Sequence, residues 1–221
     1  MTATPAGRHD TRRVAVVIAR RSVRLLNRGL AAAEGTLWRS DAERLDSPPI
    51  LILGAPRCGS TLLYQLMVAC LDVAYVSNLH CALFGSPALA ERIVRGHRAP
   101  VVYASRHGRT EGRLAPSECG PFWYRFFRRS PQYVPLADAA PEQLRRLRAS
   151  VAAFQAAARR PVVFKNLICS LLVAPIAAAL PNAIFIVLHR DLLDNAHSLL
   201  EARQRVHGEY DRWFSAEPPG F

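Results

Sequence analysis

The stretch GAPRCGST at residues 54–61 decides the fold, because it joins a short apolar run to a helical pattern through a glycine-containing loop. The apolar run, ILIL at residues 50–53, is typical of a strand buried on both faces of a parallel sheet. The segment that follows, STLLYQLMVACL at residues 60–71, has the spacing of a helix. Strand, glycine loop and helix in this order are the context that a phosphate-binding loop requires.

The loop departs from the common nucleotide-binding pattern at one position. Gly54, Gly59 and Thr61 have the spacing of the P-loop, but Ser60 stands where that pattern has lysine. The cation of this stretch is Arg57, three residues earlier. We therefore expect a loop that holds an anion with a differently placed positive charge.

The rest of the chain alternates strand and helix patterns. Further strands are predicted at residues 73–76, 161–165 and 183–190, and helices at residues 12–38, 86–96, 141–160, 170–180 and 191–205. This alternation predicts a three-layer α/β fold, with a parallel sheet covered by helices on both faces. Residues 97–120 have no regular period and predict a surface loop near a site.

Residues 1–47 are expected to form a unit separate from the α/β domain, which we place at residues 48–221. Residues 1–11 are predicted to be disordered, and a basic amphipathic helix is predicted to follow. Its apolar positions are Val14, Val17, Ile18, Leu25, Leu26 and Leu30, and its basic positions include Arg13, Arg20, Arg21, Arg24 and Arg28. Such a helix suits peripheral contact with an acidic membrane surface, or packing on its own domain, and both interpretations stay open.

Composition narrows the class of protein. The chain has 221 residues, half of them hydrophobic and 21% charged, as expected of a globular protein. Its formal net charge of +12 predicts attraction to anions, although a genome rich in arginine codons would produce the same bias. The five cysteines have no CxxC spacing, which indicates reduced thiols and no metal site. No apolar run is long enough to span a membrane and no secretory signal is evident, so we expect a cytoplasmic protein.

Three cations fall where predicted strands end. Arg57 follows the first strand, Lys165 ends the third and Arg190 ends the fourth. Ligands of parallel α/β sheets bind at the carboxyl ends of the strands, so these side chains are expected at one edge. Lys165 is also the one lysine among 29 basic residues. The position therefore suggests a need for a compact point charge.

Three motifs together resemble the sulfotransferases. APRCGST at residues 55–61 resembles their 5′-phosphosulfate-binding loop, which reads PxSGTT with lysine or arginine at the second position. HRDLLDNAHS at residues 189–198 resembles their 3′-phosphate segment, in which a strand-closing arginine is followed eight residues later by serine, here Arg190 and Ser198. FKNL and then LPNAIFIVLHRD resemble a run of the bacterial and tyrosylprotein-type members. The resemblance covers about residues 48–205.

The resemblance implies a P-loop-like fold and 3′-phosphoadenylyl sulfate as the sulfuryl donor. The 5′-phosphate would be held by Arg57 and by the loop residues Cys58, Gly59, Ser60 and Thr61, through backbone N–H groups and hydroxyls. This donor has no polyphosphate chain for a metal to bridge. We therefore expect no divalent metal.

The second phosphate of the donor needs its own binding groups. Arg190 suits the 3′-phosphate as a charge-assisted donor, and Ser198 suits it as a hydroxyl donor. Arg57 and Lys165 are then expected to stabilise the charge that develops at the transferring group. Two separated anion sites at one sheet edge are what this donor requires.

The catalytic base is expected to be Glu118, with His80 as the alternative. Glu118 lies in APSECGPFWYRFF, which resembles a P-x-E element of the bacterial branch. Neighbouring aromatic residues could form either an acceptor wall or part of the core: Phe122, Trp123, Tyr124, Phe126 and Phe127. The acceptor is expected to be a small molecule, a lipid or a carbohydrate.

Some positions depart from the family pattern. Cys58 replaces a serine, Ser60 replaces a threonine, and Asn166 and Leu167 follow the lysine in place of the Ser/Thr/Asp–Pro common in the family. Relatives continue with further helices and a basic segment after the phosphate helix. We therefore expect a chain shortened at its C-terminus.

Two other classes of function share parts of these patterns. A P-loop NTPase or kinase-like protein would have a similar loop. Two features argue against this class: Ser60 stands in place of the lysine, and no Mg²⁺-binding aspartate is evident at a strand end. A non-catalytic polyanion-binding module would explain the net charge. The sequence has no aromatic platform for single strands and no recognition-helix or zinc motif, so no nucleic-acid partner is expected.

Overall fold

A computed structural model describes residues 6–37, 45–95, 110–213 and 215, with the backbone alone for residues 6–20. The strands are β1 (Ile50–Gly54), β2 (Ala74–Tyr75), β3 (Val162–Lys165) and β4 (Ile184–Leu188). The helices are α1 (Ala6–Leu37), α2 (Ser60–Cys70), α3 (Asn78–Ala82), α4 (Pro87–Val94), α5 (Gly120–Trp123), α6 (Pro141–Ala158), α7 (Val173–Ala179) and α8 (Leu192–His207). Short 3₁₀ segments occupy Leu136–Asp138 and Leu167–Leu171.

The four strands form one parallel sheet in the order β2-β3-β1-β4. Ile52 of β1 lies opposite Lys165 of β3 and opposite Ile186 of β4. The central strand thereby sets the register of both neighbours. The prediction of an α/β fold with a parallel sheet is confirmed.

Burial explains why the strand sequences are continuous apolar runs. Leu51, Ile52 and Leu53 of β1 are buried, and so is every residue of β3. Both strands lie inside the sheet with helices over them. The edge strand β4 is partly exposed, and Ile184 and Val187 are its most exposed apolar residues.

Two apolar clusters lie on opposite faces of the sheet. The smaller one packs α2 against the sheet through Tyr64 and Val68. The larger one contains α6, α7 and the segment around α5. Of the five aromatic residues expected in either an acceptor wall or the core, four are buried in this cluster: Phe122, Trp123, Phe126 and Phe127. The structure therefore favours the core interpretation for these four, and Tyr124 is partly exposed.

The N-terminal helix docks on the domain through polar side chains. Asn27 is 1% exposed, donates to the Ala82 carbonyl oxygen (3.1 Å) and accepts from the Gly85 N–H (2.6 Å). Leu25 and Leu26, which we predicted on the packing face, are 64% and 55% exposed. Packing on its own domain is thus observed, but it is made by hydrogen bonds that the apolar pattern did not indicate.

Several element boundaries differ from the predictions. α1 begins at Ala6, so residues 6–11, predicted as disordered, belong to the helix, whereas residues 1–5 lie outside the described residues. The helix predicted at residues 170–180 is divided into a 3₁₀ segment and α7, because Asn166 caps the segment by accepting from the Ile168 N–H. Residues 97–109 of the predicted surface loop, and residue 96 before it, also lie outside the described residues.

None of the helices in the described part of the chain has the length and apolar character that crossing a bilayer would require.

We expect Gly54→Ala to destabilise the fold. Gly54 has φ +150°, and a Cβ there would lie 2.7 Å from Cys58 Sγ and 2.9 Å from the Leu188 carbonyl oxygen. Contacts this short force the loop or β4 to move. The free energy of unfolding should fall by about 2–3 kcal/mol, measured by urea unfolding.

Gly29→Ala is the matched control, because a Cβ at Gly29 in α1 meets nothing within 4 Å. Helix propensity should leave its stability unchanged or raise it by up to about 1 kcal/mol. An unfolding midpoint for Gly54→Ala equal to that of the unsubstituted protein would contradict the prediction.

Candidate functional site

The loop between β1 and α2 presents the N-terminus of a helix. Arg57 and Gly59 have positive φ values of 70° and 93°, which turn the chain sharply between the strand and the helix. α2 begins at Ser60, and its first helical hydrogen bond runs from the Leu63 N–H to the Gly59 carbonyl oxygen (3.2 Å). The N–H groups of the first turn therefore have no partner within the helix and can bind an anion.

The structure limits what Cys58 and Ser60 can contribute to anion binding in the loop. The Cys58 N–H donates to the Ala55 carbonyl oxygen (3.3 Å), so it closes a turn of the loop. Ser60 is buried, whereas Thr61 is partly exposed. Of the two hydroxyls, that of Thr61 is therefore the more open to a ligand.

Helix α8 is fastened to this loop by three hydrogen bonds. Arg190 Nη1 donates to the Arg57 carbonyl oxygen (3.0 Å), and Arg57 Nε donates to Ser198 Oγ (3.2 Å). Asn195 Nδ2 donates to the Pro56 carbonyl oxygen (3.0 Å). The structure thus brings Arg57, Arg190 and Ser198 together, as expected for ends of adjacent parallel strands.

The contact between Arg57 and Ser198 differs from the sequence interpretation. We expected these side chains to serve two separated phosphates, but here they bond to each other. The separate assignment of Arg57 and Ser198 stays a prediction.

Lys165 lies between the loop and the segment that precedes α5. It is 3% exposed, and its Nζ donates to Thr61 Oγ1 (3.2 Å) and forms an ion pair with Glu118 Oε1. A buried ammonium group needs such partners because removing it from water is costly. Lys165 and Glu118, both predicted from sequence, are therefore in direct contact.

A hydrogen bond to its backbone fixes the position of Glu118. Asn166 Nδ2 donates to the Glu118 carbonyl oxygen (2.9 Å), and the neighbouring Cys119 has a left-handed φ of 43°. The Glu118 side chain is 32% exposed. One side of the carboxylate faces Lys165, and an open part remains for a ligand.

His80, the alternative base, is a buried residue of the cap that begins α3. His80 is 2% exposed, its Nδ1 lies 2.8 Å from Ser77 Oγ and its Nε2 lies 3.3 Å from Glu91 Oε2. Its backbone N–H is bonded to Ser77 Oγ at the start of α3. A side chain this buried is not open to a ligand, whereas the Glu118 side chain is 32% exposed.

Sequence analysis did not single out the supporting contacts of Asn166, Ser170 and Asn195. Ser170 Oγ lies 3.2 Å from the Gly54 nitrogen and 3.3 Å from the Gly54 carbonyl oxygen, and so braces the end of β1. Asn195 could have been found, because it is one helical turn before Ser198 on the same face of α8. No pattern in the sequence indicated that Ser170 would reach the loop.

Burial also affects thiol and phenol groups beside the site. Burial, reinforced by the negative charge of Glu118, raises the pKa of the Cys169 thiol well above its usual range. Burial likewise raises the pKa of Tyr64, whose hydroxyl accepts from the Val76 N–H (3.0 Å). Both groups stay protonated at neutral pH and therefore add no charge to the site.

An apolar cavity of about 370 Å³ adjoins the loop on the β4 side. The backbone of residues 54–56 forms one wall, and the other walls come from α7, β4, α8 and Trp213. Its lining includes Leu167, Leu171, Val173, Val187 and Leu199. Its size and lining are suited to an apolar group of a small ligand.

The fold and the loop define an α/β protein with a P-loop-like anion site. The family comparison is more specific: the model of the sulfotransferase family matches residues 48–217, and the chain belongs to that family. No curated protein matches the chain in sequence.

A solved structure supports the fold. The chain is similar to the crystal structure of sulfotransferase STF1 from Mycobacterium tuberculosis H37Rv (type1 form), with a TM-score of 0.52 and 14% sequence identity. The similarity covers 82% of this chain and 56% of the mycobacterial chain. The chain therefore spans little more than half the length of that sulfotransferase, and the shared feature is the fold.

We expect Glu118→Gln to destabilise the protein by leaving the buried Lys165 ammonium without a counter-charge. Because Glu118 is partly exposed and solvent can enter, the cost should be about 1–3 kcal/mol in urea unfolding. The double variant Lys165→Met/Glu118→Gln should recover most of that loss. The control Glu142→Gln breaks an exposed pair with Arg145 and should change stability by less than about 1 kcal/mol. A double variant no more stable than Glu118→Gln would contradict the prediction.

Proposed function

We propose that the protein transfers a sulfuryl group from 3′-phosphoadenylyl sulfate to a hydroxyl or amine acceptor. The observation that carries the proposal is the convergence of Arg57, Lys165 and Arg190 with the N-terminus of α2 at one edge of the sheet. Membership of the sulfotransferase family supports this chemistry. The choice of donor and the roles of the residues below are parts of the proposal.

The residues present fit the donor. The first-turn N–H groups of α2 and the hydroxyls of Ser60 and Thr61 would hold the 5′-phosphate. Arg190, which is exposed and anchored through one guanidinium nitrogen, would use its other N–H groups for the 3′-phosphate. Ser198, whose hydroxyl accepts from Arg57 Nε (3.2 Å), would donate to the same phosphate.

Lys165 connects the donor side of the site to the base. Its ammonium group is shared between Thr61 on the loop and the Glu118 carboxylate. The sulfuryl group of a donor bound at the loop would compete with Glu118 for this positive charge. Donor binding would then weaken the ion pair and raise the basicity of Glu118, because a nearby cation disfavours protonation of a carboxylate.

In the proposed reaction, the acceptor oxygen forms a bond to sulfur while the bond between sulfur and the bridging phosphate oxygen breaks. Glu118 takes the proton of the acceptor hydroxyl. The electron pair of the broken bond remains on the departing phosphate, where Lys165 and Arg57 stabilise the negative charge.

The apolar cavity beside the loop suits the apolar part of the acceptor. It shares the backbone of residues 54–56 with the loop, so a ligand in it would lie next to the bound donor. We therefore favour a small molecule or lipid with an apolar body and a hydroxyl group over a carbohydrate.

A cytoplasmic location is part of the same proposal. All five cysteines are free thiols, which suits a reducing compartment.

We expect adenosine 3′,5′-bisphosphate to bind more tightly than 5′-AMP, because the 3′-phosphate gains charge-assisted hydrogen bonds from Arg190. Such bonds are worth about 1.5–3 kcal/mol, so the preference should be about tenfold or more in isothermal titration calorimetry. Arg190→Ala should abolish the preference.

Arg205→Ala is the control, because Arg205 lies on the same helix but pairs with Glu201 on the exposed surface. It should keep the preference for the bisphosphate. Equal affinity for the two nucleotides in the unsubstituted protein would contradict the donor assignment. Mg²⁺-dependent turnover of ATP would instead indicate an NTPase.

We expect Lys165→Met to lower turnover at least about a hundredfold, because the variant loses a preorganised cation at the transferring group. Adenosine 3′,5′-bisphosphate affinity should stay within about threefold, since Arg190 and the loop would bind the product. Turnover is followed as release of the bisphosphate from the donor with a panel of phenols, alcohols and sugars in EDTA. Unchanged turnover would show that Lys165 is structural, and a collapse of product affinity in folded protein would make it a binding residue.

A further inference from the structure

A second cavity, of about 500 Å³, lies between α1, the segment around α5 and α6. It shares no lining residue with the loop, with Lys165 or with Arg190. Among the described residues that line it, none is acidic. Its polar lining includes Arg24, Arg28, Arg125, Arg129, Arg146 and Tyr124.

Within the described residues, three arginines of this cavity lack the carboxylate partner that several other arginines of the structure have. Arg128 pairs with Asp138 (3.0 Å), for example, and Arg160 pairs with Asp72 (3.3 Å). Arg24, Arg28 and Arg146 have no carboxylate within ion-pair distance in the described part of the chain. Like charges brought together without partners repel one another, and an anion would relieve that repulsion.

Arg125 forms the inner wall. It donates to the Phe84 carbonyl oxygen (2.9 Å) and to Ser150 Oγ (3.1 Å), and its Nη2 lies 3.6 Å from Glu34 Oε2. Burial lowers the pKa of Arg125, and repulsion from Arg146 adds to that effect against the attraction of Glu34.

Glu34 does not neutralise the rest of the cavity. Its carboxylate is buried and accepts hydrogen bonds from Ser150 Oγ (2.8 Å), Ser86 Oγ (3.1 Å) and the Ala88 N–H (3.1 Å). These donors and Arg125 occupy its acceptor positions. Desolvation by burial raises the pKa of Glu34, against the attraction of Arg125 and the hydrogen bonds that the carboxylate accepts.

At the rim, Arg129 is oriented by an aromatic ring. Its guanidinium carbon lies 4.5 Å from the centre of the Tyr124 ring. A guanidinium over an aromatic ring can still donate hydrogen bonds from its N–H groups to a ligand. The rim therefore presents donors as well as charge.

We propose that this cavity binds a multivalent oxyanion, a compound that carries phosphate or sulfate groups. Planar guanidinium groups match the oxygen geometry of these anions, and several of them converge here from three elements of the fold. The volume is large enough for a ligand bigger than a single phosphate. The inference does not rest on the proposed transferase activity.

Two sources can supply such a ligand. One is a free phosphorylated or sulfated compound, and the other is the headgroup of an anionic lipid. The second source would use Leu25 and Leu26, which are exposed on α1 close in sequence to Arg24 and Arg28.

The test is titration with inorganic tripolyphosphate in a background that weakens the loop site, Arg57→Ala/Arg190→Ala. In this background, Arg24→Gln/Arg146→Gln removes two cavity charges. The matched control Arg21→Gln/Arg145→Gln removes two exposed charges from the same two helices, outside the cavity lining. We expect the cavity variant to bind at least about tenfold more weakly, and the control to bind within about twofold of the background.

Equal weakening in both variants would show long-range attraction only and would overturn the proposal, as would the absence of tripolyphosphate binding in the background. In an otherwise unsubstituted chain, the cavity substitutions should leave adenosine 3′,5′-bisphosphate affinity unchanged. Failure of this site and failure of the proposed donor site are therefore distinguishable.

Flotation with phosphatidylcholine vesicles, with and without phosphatidic acid, separates the two sources. Vesicle binding that needs phosphatidic acid and is lost only in the cavity variant identifies a lipid headgroup. If the cavity variant alone loses tripolyphosphate binding and no variant binds the vesicles, the ligand is a free oxyanion. If the cavity substitutions selectively weaken binding of neither tripolyphosphate nor phosphatidic acid vesicles, the proposal is overturned.

Discussion

The site depends on the parallel pairing of the central strand β1 with β3 on one side and β4 on the other. Parallel strands end at the same edge, so the segments that follow β1, β3 and β4 meet in one place. Arg57, Lys165 and Arg190 are the cations of those segments. Had one strand paired in the opposite direction, its cation would lie at the far edge of the sheet.

The pairing also explains why the loop has so little freedom. Gly54 ends β1 where a side chain would collide with Cys58 and with the backbone of β4. Ser170 braces Gly54 from one side, and Asn195 of α8 holds the Pro56 carbonyl oxygen from the other. A loop fixed in this way keeps its N–H groups oriented without spending ligand-binding energy on ordering them.

Charge is handled differently at the two basic regions of the molecule. At the sheet edge, the buried Lys165 has a carboxylate partner, and Arg190 and Arg57 are bonded to protein oxygens. In the cavity beside α1, several arginines line one space. Of the residues that the structure describes, none in that lining is acidic, and Arg125 alone pairs with the buried carboxyl group of Glu34. The first arrangement is suited to chemistry at a defined atom, and the second is suited to binding a ligand of high negative charge.

The sequence alone determined the order of strand, loop and helix, the parallel α/β class and the strand ends that carry cations. These features follow from local periodicity and from the rule that parallel strands share one ligand-binding edge. The tertiary structure decided which side chains touch. The Lys165–Glu118 ion pair joins residues 47 apart in sequence, and the Arg57–Ser198 bond joins residues 141 apart. It also placed four of the five aromatic residues after Glu118 in the core and assembled the arginine cavity from three elements. Local patterns cannot specify such contacts, because they depend on how distant elements pack and on where buried charges find partners.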